Sequence, residues 1–341
     1  MNISTFDRVL GSLYGMATGD ALGVPSSFKT PQYIAQTWGW IDRFYPAEED
    51  HIFHAGLKAG ECTDDSEQAL ALMNSFLRNR KVVQRDIVDE IVKWAERVKD
   101  KYASPLGPST ERALKAIQQG ADLELSGRYA NTNGSAMRIS PLGIIHGLRG
   151  SSMEELVRDV YYTSMPTHNT TVTISAAAAI AWGVAVCIRG ERDIEHIVQE
   201  TVNAADLGKQ YGIPIVSPSI GKRILFACEL VKKFSDYREA MAALYEYFGG
   251  GDLAADSIPV AVALFVLAEG NPQKANEYAV NLGGDCDTNA AMAGAMAGAY
   301  AGVQALPEEW CETIESVNHL GLPDYARKLI DLAPLWETTS G

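Results

Sequence analysis

Apolar residues recur at three- and four-residue spacing along most of the chain, the repeat that gathers them on one face of an α-helix. Over 65–77, Ala69, Leu72, Met73 and Phe76 share a stripe, and over 86–98 the stripe is Ile87, Ile91, Trp94, Ala95 and Val98. The same spacing predicts helices over 110–119, 153–162, 170–187, 193–205, 220–234, 237–248, 258–268, 289–303 and 324–332. Strand-type alternation is scarce, and its best candidates are short pieces at 40–45 and 213–216. No β-α-β-α rhythm appears, so the pattern predicts an all-α fold. The Gly/Pro clusters at 104–108 and 249–251 are only loop-length, which predicts a single compact helical domain over 1–341. Gly294, Gly298 and Gly302 recur every fourth residue on one predicted helix, with alanines between them. That spacing predicts close packing of this helix against another at the centre of the bundle.

Composition narrows the class. The chain has 341 residues, 47% hydrophobic and 21% charged, which excludes a disordered chain, a collagen-like fibre and a disulfide-stapled miniprotein. Its 43 acidic and 29 basic residues give a net charge of −14, which argues against a nucleic-acid partner because phosphate neutralisation needs clustered Lys and Arg. The five cysteines, Cys62, Cys187, Cys228, Cys286 and Cys311, include no C-x-x-C and match no zinc spacing, so free thiols in a reducing compartment are expected. The N-terminal stretch lacks a basic segment followed by an unbroken apolar one, which predicts no signal peptide. The most apolar run, 174–188, is short for a bilayer span and reads as a buried helix. A cytoplasmic protein with no membrane partner is the expectation.

Three polar clusters begin or interrupt the apolar helices: Thr63-Asp64-Asp65-Ser66, Asn131-Thr132-Asn133-Gly134-Ser135-Ala136-Met137-Arg138, and Gly283-Gly284-Asp285-Cys286-Asp287-Thr288-Asn289. The plain explanation of the first and third is N-capping, in which a side-chain oxygen accepts a bond from a free helix N–H. One carboxylate suffices for that, whereas each cluster carries an acidic pair with a hydroxyl beside it. Carboxylate and hydroxyl oxygens are the ligands Mg²⁺ selects, and Mn²⁺ accepts the same set. Two such clusters meeting in space would form a metal site.

These blocks together resemble the ADP-ribosylglycohydrolase family. The resemblance runs through Gly15-Met-Ala-Thr-Gly-Asp-Ala-Leu-Gly23, Thr63-Asp-Asp-Ser66, Asn133-Gly-Ser-Ala-Met-Arg138, Pro141-Leu-Gly143, Thr167-His168 and Gly283-Gly-Asp-Cys-Asp-Thr-Asn-Ala290, in that order. It implies an all-α orthogonal helical bundle around a central binuclear magnesium centre. Thr63, Asp64 and Asp65 would supply one side of the centre and Asp285, Asp287 and Thr288 the other, with two Mg²⁺ (or Mn²⁺) holding the hydroxyls of a ribose. A metal-associated water would attack the ribose C1, and Asp64 or Asp65 would move the proton. The Asn133-Gly134-Ser135 turn would cradle ribose or diphosphate through backbone N–H groups, and His168 would line the pocket. Asp20 would support the metals or act as a local cap.

This chain departs from the family pattern in one place with chemical weight. Where many relatives carry a glutamate after the first glycine-rich block, Ser27 stands in its place; as a substrate-binding residue it can hold a hydroxyl or water, but serine is no base near neutral pH. Ser66 for threonine keeps the hydroxyl, and Cys286 need not face the metals. Release of ADP-ribose from an ADP-ribosylated protein or small molecule is the leading expectation. A nucleosidase-like hydrolase of a small ribosyl metabolite and an inactive ligand-binding relative are the alternatives.

Overall fold

The computed structural model describes residues 3–99 and 106–339, and every regular element among them is helical. The chain opens with α1 (Thr5–Gly23) and α2 (Pro31–Thr37), and a long loop then leads to α3 (Asp64–Asn79) and α4 (Gln84–Val98). Next come α5 (Pro108–Gln118), the single turns α6 (Leu123–Ser126) and α7 (Gly134–Met137), α8 (Ser140–Arg149) and α9 (Met153–Ser164). The middle of the chain forms α10 (Thr171–Ile188), α11 (Ile194–Gly208), α12 (Ile220–Val231) and α13 (Tyr237–Phe248). It closes with α14 (Ala254–Leu267), α15 (Pro272–Leu282), α16 (Cys286–Ala301), α17 (Glu308–Asn318) and α18 (Leu322–Leu332).

The strand candidates form no strand. The backbone at 40–45 is satisfied by a side chain instead: Asn281 accepts from the Ile41 N–H and donates to the Ile41 carbonyl, both at 2.9 Å. In the 213–216 piece, Ile213 makes one isolated bridge to Thr170. The helix expected from Ile258 starts four residues earlier, at Ala254, with Pro259 inside it. Of the loop at 104–108, residues 104 and 105 lie outside the described residues.

Periodicity does not reveal α1, because Gly11, Gly15, Gly19 and Gly23 interrupt it and glycine lowers helix propensity by about 1 kcal/mol each. The helix forms because its glycines face those of α16. A Cβ on Gly15 would lie 2.0 Å from the Gly294 carbonyl oxygen, and one on Gly298 would lie 1.9 Å from that of Gly11. Gly19 abuts Ala290 and Gly23 abuts Asp287, so the two ladders run backbone to backbone down to the acidic cluster. At the other end, buried Arg8 donates to the carbonyls of Cys187, Ala299 and Tyr300 at 2.8–3.3 Å, satisfying the free C-terminal carbonyls of α10 and α16.

Helix α10 is long and apolar enough to cross a membrane by composition alone, yet nearly all of it is buried in the protein. It belongs to one continuous core that also takes in α1, α8, α11, α14 and α16, with a small satellite of Val24, Leu57, Trp94 and Val98 under the long loop.

Candidate functional site

The start of α3 is built by a residue from α1. Thr63 is the N-cap, but the free N–H groups of this helix start turn mainly to Asp20, which is fully buried. One Asp20 oxygen accepts from the Thr63 N–H (3.0 Å) and hydroxyl (2.8 Å), and the other from the Ser66 N–H (3.1 Å) and hydroxyl (2.5 Å). Asp20 therefore caps a helix other than its own, which releases the adjoining acids from that task. Asp64 faces a cavity and takes one bond from Gln68 (3.1 Å). Asp65 lies behind it, buried. Its Oδ2 is near the hydroxyls of Thr63 (3.2 Å) and Thr288 (3.3 Å), while its Oδ1 has no partner.

The start of α16 comes to the same place. Gly283 and Gly284 both have positive φ, and a Cβ on Gly284 would lie 2.4 Å from the Gly250 carbonyl oxygen, so only glycine permits this approach. Asp285 sits at the N-cap position without capping; its carboxylate accepts from the Asn133 amide at 2.6 Å. Asp287 is held from above by two segments: the Ser27 hydroxyl, from the loop after α1, donates to one oxygen, and His54 Nε2, from the long loop after α2, meets the other (2.8 Å). His51 ties the long loop to Ser27. Its Nδ1 accepts from the His54 N–H (3.0 Å), which leaves Nε2 to donate to the Ser27 carbonyl (2.9 Å).

Five carboxylates thus share one buried region, and the strain of that arrangement shows in their acidities. Burial pushes Asp20 up to about 6, with the Asp287 charge adding to the rise. Burial and then Asp287 push Asp64 up to about 7. Asp65 and Asp285 are driven well above the usual carboxylate range, again first by burial and then by neighbouring aspartates. Burial opposes ionisation of Asp287 too, but the His54 charge and the Ser27 and His54 donors outweigh it and hold this carboxyl far below its ordinary value. His54 is raised in turn, Asp287 overcoming the effect of burial. The nearest buried cation besides His54 is Arg138, whose pKa burial lowers to about 10. It reaches Asp64 only through Gln68 and also donates to the Thr167 hydroxyl at 2.6 Å.

This donor set fits a hard divalent cation. Clustered carboxylates with threonine hydroxyls beside them are oxygen ligands of the Mg²⁺ and Mn²⁺ type, and the orphaned Oδ1 of Asp65 is a buried acceptor in want of a positive charge. Among the described residues no three His, Cys, Asp or Glu side chains already converge on one point. The fit therefore rests on donor chemistry and on that orphaned oxygen.

Asp64, Asn133, Gly134, Asp285, Asp287 and Thr288 line the cavity above this cluster. Thr63 and Asp65 lie beneath them. Ser27 is buried against Asp287, behind the rim. The Ser135 and His168 side chains both turn away from the cavity. Ser135 is buried and points toward the Thr173 carbonyl (3.4 Å). His168 is fully buried behind Gly134, between Thr132 (3.2 Å) and Thr167 (2.8 Å), and burial lowers its pKa well below the ordinary value. It braces the Asn133 turn from behind because α10 starts just beyond it.

Sequence reasoning missed His54, Phe28, Phe53 and Asp252, all of which line the cavity. The signal for His54 was present, in that two of only six histidines stand three apart in His51-Ile-Phe-His54, just before the Thr63 block. Asp252 follows three glycines and carried no pattern of its own.

Known proteins resemble this chain along nearly its whole length. A family model described as ADP-ribosylglycohydrolase matches residues 1–339. The chain is 35% identical over 327 residues to the uncharacterized protein YegU of Escherichia coli K12, covering 95% of this chain and 96% of YegU. It is 26% identical over 323 residues to the ADP-ribosyl-[dinitrogen reductase] glycohydrolase of Rhodospirillum rubrum, covering 92% of each. A solved ADP-ribosylglycohydrolase-related protein complex has the same fold, with a TM-score of 0.70 at 23% identity over 96% of this chain and 99% of that one.

Proposed function

The chain belongs to the ADP-ribosylglycohydrolase family, whose members hydrolyse glycosidic linkages of ADP-ribose, and on that premise we propose a metal-dependent hydrolase that releases ADP-ribose from an ADP-ribosylated protein or small molecule. The observation that carries this reading is the meeting of Asp64, Asp65, Asp285, Asp287, Thr63 and Thr288 beside one cavity, with a buried carboxylate oxygen left unpartnered. Two Mg²⁺, or Mn²⁺, held by these six residues would supply ribose-hydroxyl binding and a water of lowered pKa.

The remaining work falls to the chain. Asp64 faces the cavity, where its carboxylate can take a proton from a water at the ribose, while Asp65 lies buried behind it. Asp64 is thus the better-placed proton carrier and Asp65 the better-placed inner ligand. Asn133 orients Asp285, and Gly134 opens the wall where a larger residue would meet His168. Ser27 and His54 hold Asp287 from above. Cys187, Cys228, Cys286 and Cys311 are thiols outside any disulfide, which supports the reducing, cytoplasmic setting expected from the cysteine count.

Turnover tests the reading. ADP-ribose release from arginine- or serine-linked conjugates is expected with Mg²⁺ or Mn²⁺, to stop with chelator, and to be lost in Asp65→Ala and Asp287→Ala. Full activity in either variant refutes the binuclear mechanism. One observation favours the nucleosidase-like alternative: no Lys or Arg is among the described residues lining the cavity. Hydrolysis of simple nucleosides with sparing of ADP-ribosyl conjugates would establish it.

A further inference from the structure

Arg138, Thr167 and His168 stand in the family-like blocks of the sequence, yet none of them lines the cavity. All three are buried, and so is Gln68, one turn along α3 from Asp64. Together they form a run of hydrogen bonds behind the cavity wall. Gln68 Nε2 donates to Asp64 Oδ2 at 3.1 Å, and Gln68 Oε1 accepts from one arm of the Arg138 fork. The other arm donates to the Thr167 hydroxyl at 2.6 Å. His168 Nδ1 meets that same hydroxyl at 2.8 Å, and its Nε2 meets the Thr132 hydroxyl at 3.2 Å, beside the Asn133 that donates to Asp285.

The order of these bonds is forced. A guanidinium only donates, so the Gln68 amide can face Arg138 with its oxygen alone. Its nitrogen is therefore the end that meets Asp64. Turned over, the amide would set its carbonyl against the carboxylate and its NH₂ against the guanidinium, two buried repulsive contacts. Arg138 is itself held, because Thr167 takes its second arm. The relay also keeps the guanidinium off Asp64. A direct fork would satisfy the carboxylate and compete with a cation for it, whereas a neutral amide fixes one oxygen and leaves the negative charge in place.

We propose that Gln68 and Arg138 are positioning residues for the metal site: Arg138 sets the orientation of the Gln68 amide, and that amide holds the Asp64 carboxylate in the pose that takes a divalent cation. The inference rests on the metal-site reading of Asp64 and deepens it. Two roles for Arg138 predict opposite signs. As a bare positive charge it would repel the ion, and its removal would tighten binding. As the residue that orients Gln68, its removal loosens Asp64 and weakens binding, as the loss of a hydrogen-bond partner behind a metal ligand does.

The test is Mn²⁺ binding, read from the electron paramagnetic resonance signal of the free ion well below the melting temperature. Gln68→Met keeps the length of the side chain and removes the donor, and Arg138→Met removes the fork. Gln68→Met is expected to weaken Mn²⁺ binding about ten-fold, and Arg138→Met by a similar factor. In the double variant the loss should stay within about two-fold of that in Gln68→Met alone, because one amide carries both effects. Unchanged binding in Gln68→Met, tighter binding in Arg138→Met, or losses that multiply in the double variant overturn the proposal. A purely structural part would lower Tm and leave Mn²⁺ affinity where it is. Should either Met variant fail to fold, Thr167→Val takes its place, since it spares the charge and frees one arm of the fork. Weaker Mn²⁺ binding in Thr167→Val, restored in Thr167→Ser, is then expected, and native affinity in Thr167→Val overturns the proposal. A native protein that takes up no Mn²⁺ defeats the metal reading and this inference with it. Uptake by the native protein that Gln68→Met leaves unchanged defeats the role of the amide alone.

Discussion

Substituting Gly15 by alanine tests whether the α1–α16 contact builds the site. The added Cβ would lie 2.0 Å from the Gly294 carbonyl oxygen and 2.7 Å from its carbon, against 3.4 Å for ordinary contact. Both obstacles are backbone, so no rotamer change relieves them, and the helices must part by about 1 Å or more. Overpacking a close-packed interior costs ~1–3 kcal/mol even where side chains can yield, so a loss of about 3 kcal/mol or more is expected here. At roughly 2 °C per kcal/mol for a chain of this size, Tm should fall by about 6 °C or more. Gly251→Ala is the control, since nothing lies within 4 Å of its added Cβ. The second readout is functional. Helix α1 carries Asp20, which fixes the start of α3, and ends at Gly23 against Asp287. Parting the helices therefore moves the two acidic pairs relative to each other, and the rise in Tm on adding Mg²⁺ should shrink. Scanning calorimetry with and without Mg²⁺ reads both effects. A Gly15→Ala protein melting within about 1 °C of the native one would refute the argument, because the clash would then be absorbed without cost.

Without metal, stability should fall as pH rises from about 4 to 7. A carboxyl raised on folding binds more protons folded than unfolded between its ordinary value and its folded one, as do Asp20 up to about 6 and Asp64 up to about 7. His54, also raised, extends the loss above 6.5, while Asp287, held low, contributes a loss only below its ordinary 3.8. Melting in chelator across this range should show the slope, flattened in Asp64→Asn and offset by Mg²⁺ at pH 7; an unchanged slope in that variant counts against the assignment. His54→Ala removes the cation paired with Asp287 at 2.8 Å, so Mn²⁺ should bind several-fold tighter at pH 6 in a thermal-shift titration, and weaker binding would show that His54 is itself a ligand. Arg138→Lys replaces a buried fork that reaches both Gln68 and Thr167 with one ammonium, and a urea-midpoint loss of about 2–3 kcal/mol is expected; a change under ~0.5 kcal/mol would mean that the fork is not needed.

The helices legible in the sequence are those with one wet face, such as α3 and α4, where burial imposes a stripe. Helix α1 was illegible because its stability comes from backbone contact, and its glycines read locally as interruptions. The ligand clusters were legible for a chemical reason: each places more oxygen donors at a helix start than capping can use. Their partners were not. Asp20 meets Thr63 across 43 positions and His54 meets Asp287 across 233, and local spacing records neither approach. His168 shows the opposite case, since membership of a motif said nothing about which way its side chain turns.

These two kinds of residue belong to one design. Ladders of glycine bring α1 and α16 close enough that Asp20 and Asp287 raise each other's neighbours, and burial keeps water from screening them. A fold selected only for metal-free stability would replace such acids with apolar or neutral residues. Five aspartates retained in one buried region therefore point to positive charge supplied from outside the chain. Arg138 and His54 offset part of the repulsion, but one reaches Asp64 only through Gln68 and the other holds Asp287 alone. The unpartnered oxygen of Asp65 is where that compensation runs out, and so it is the atom whose environment a bound cation should change most.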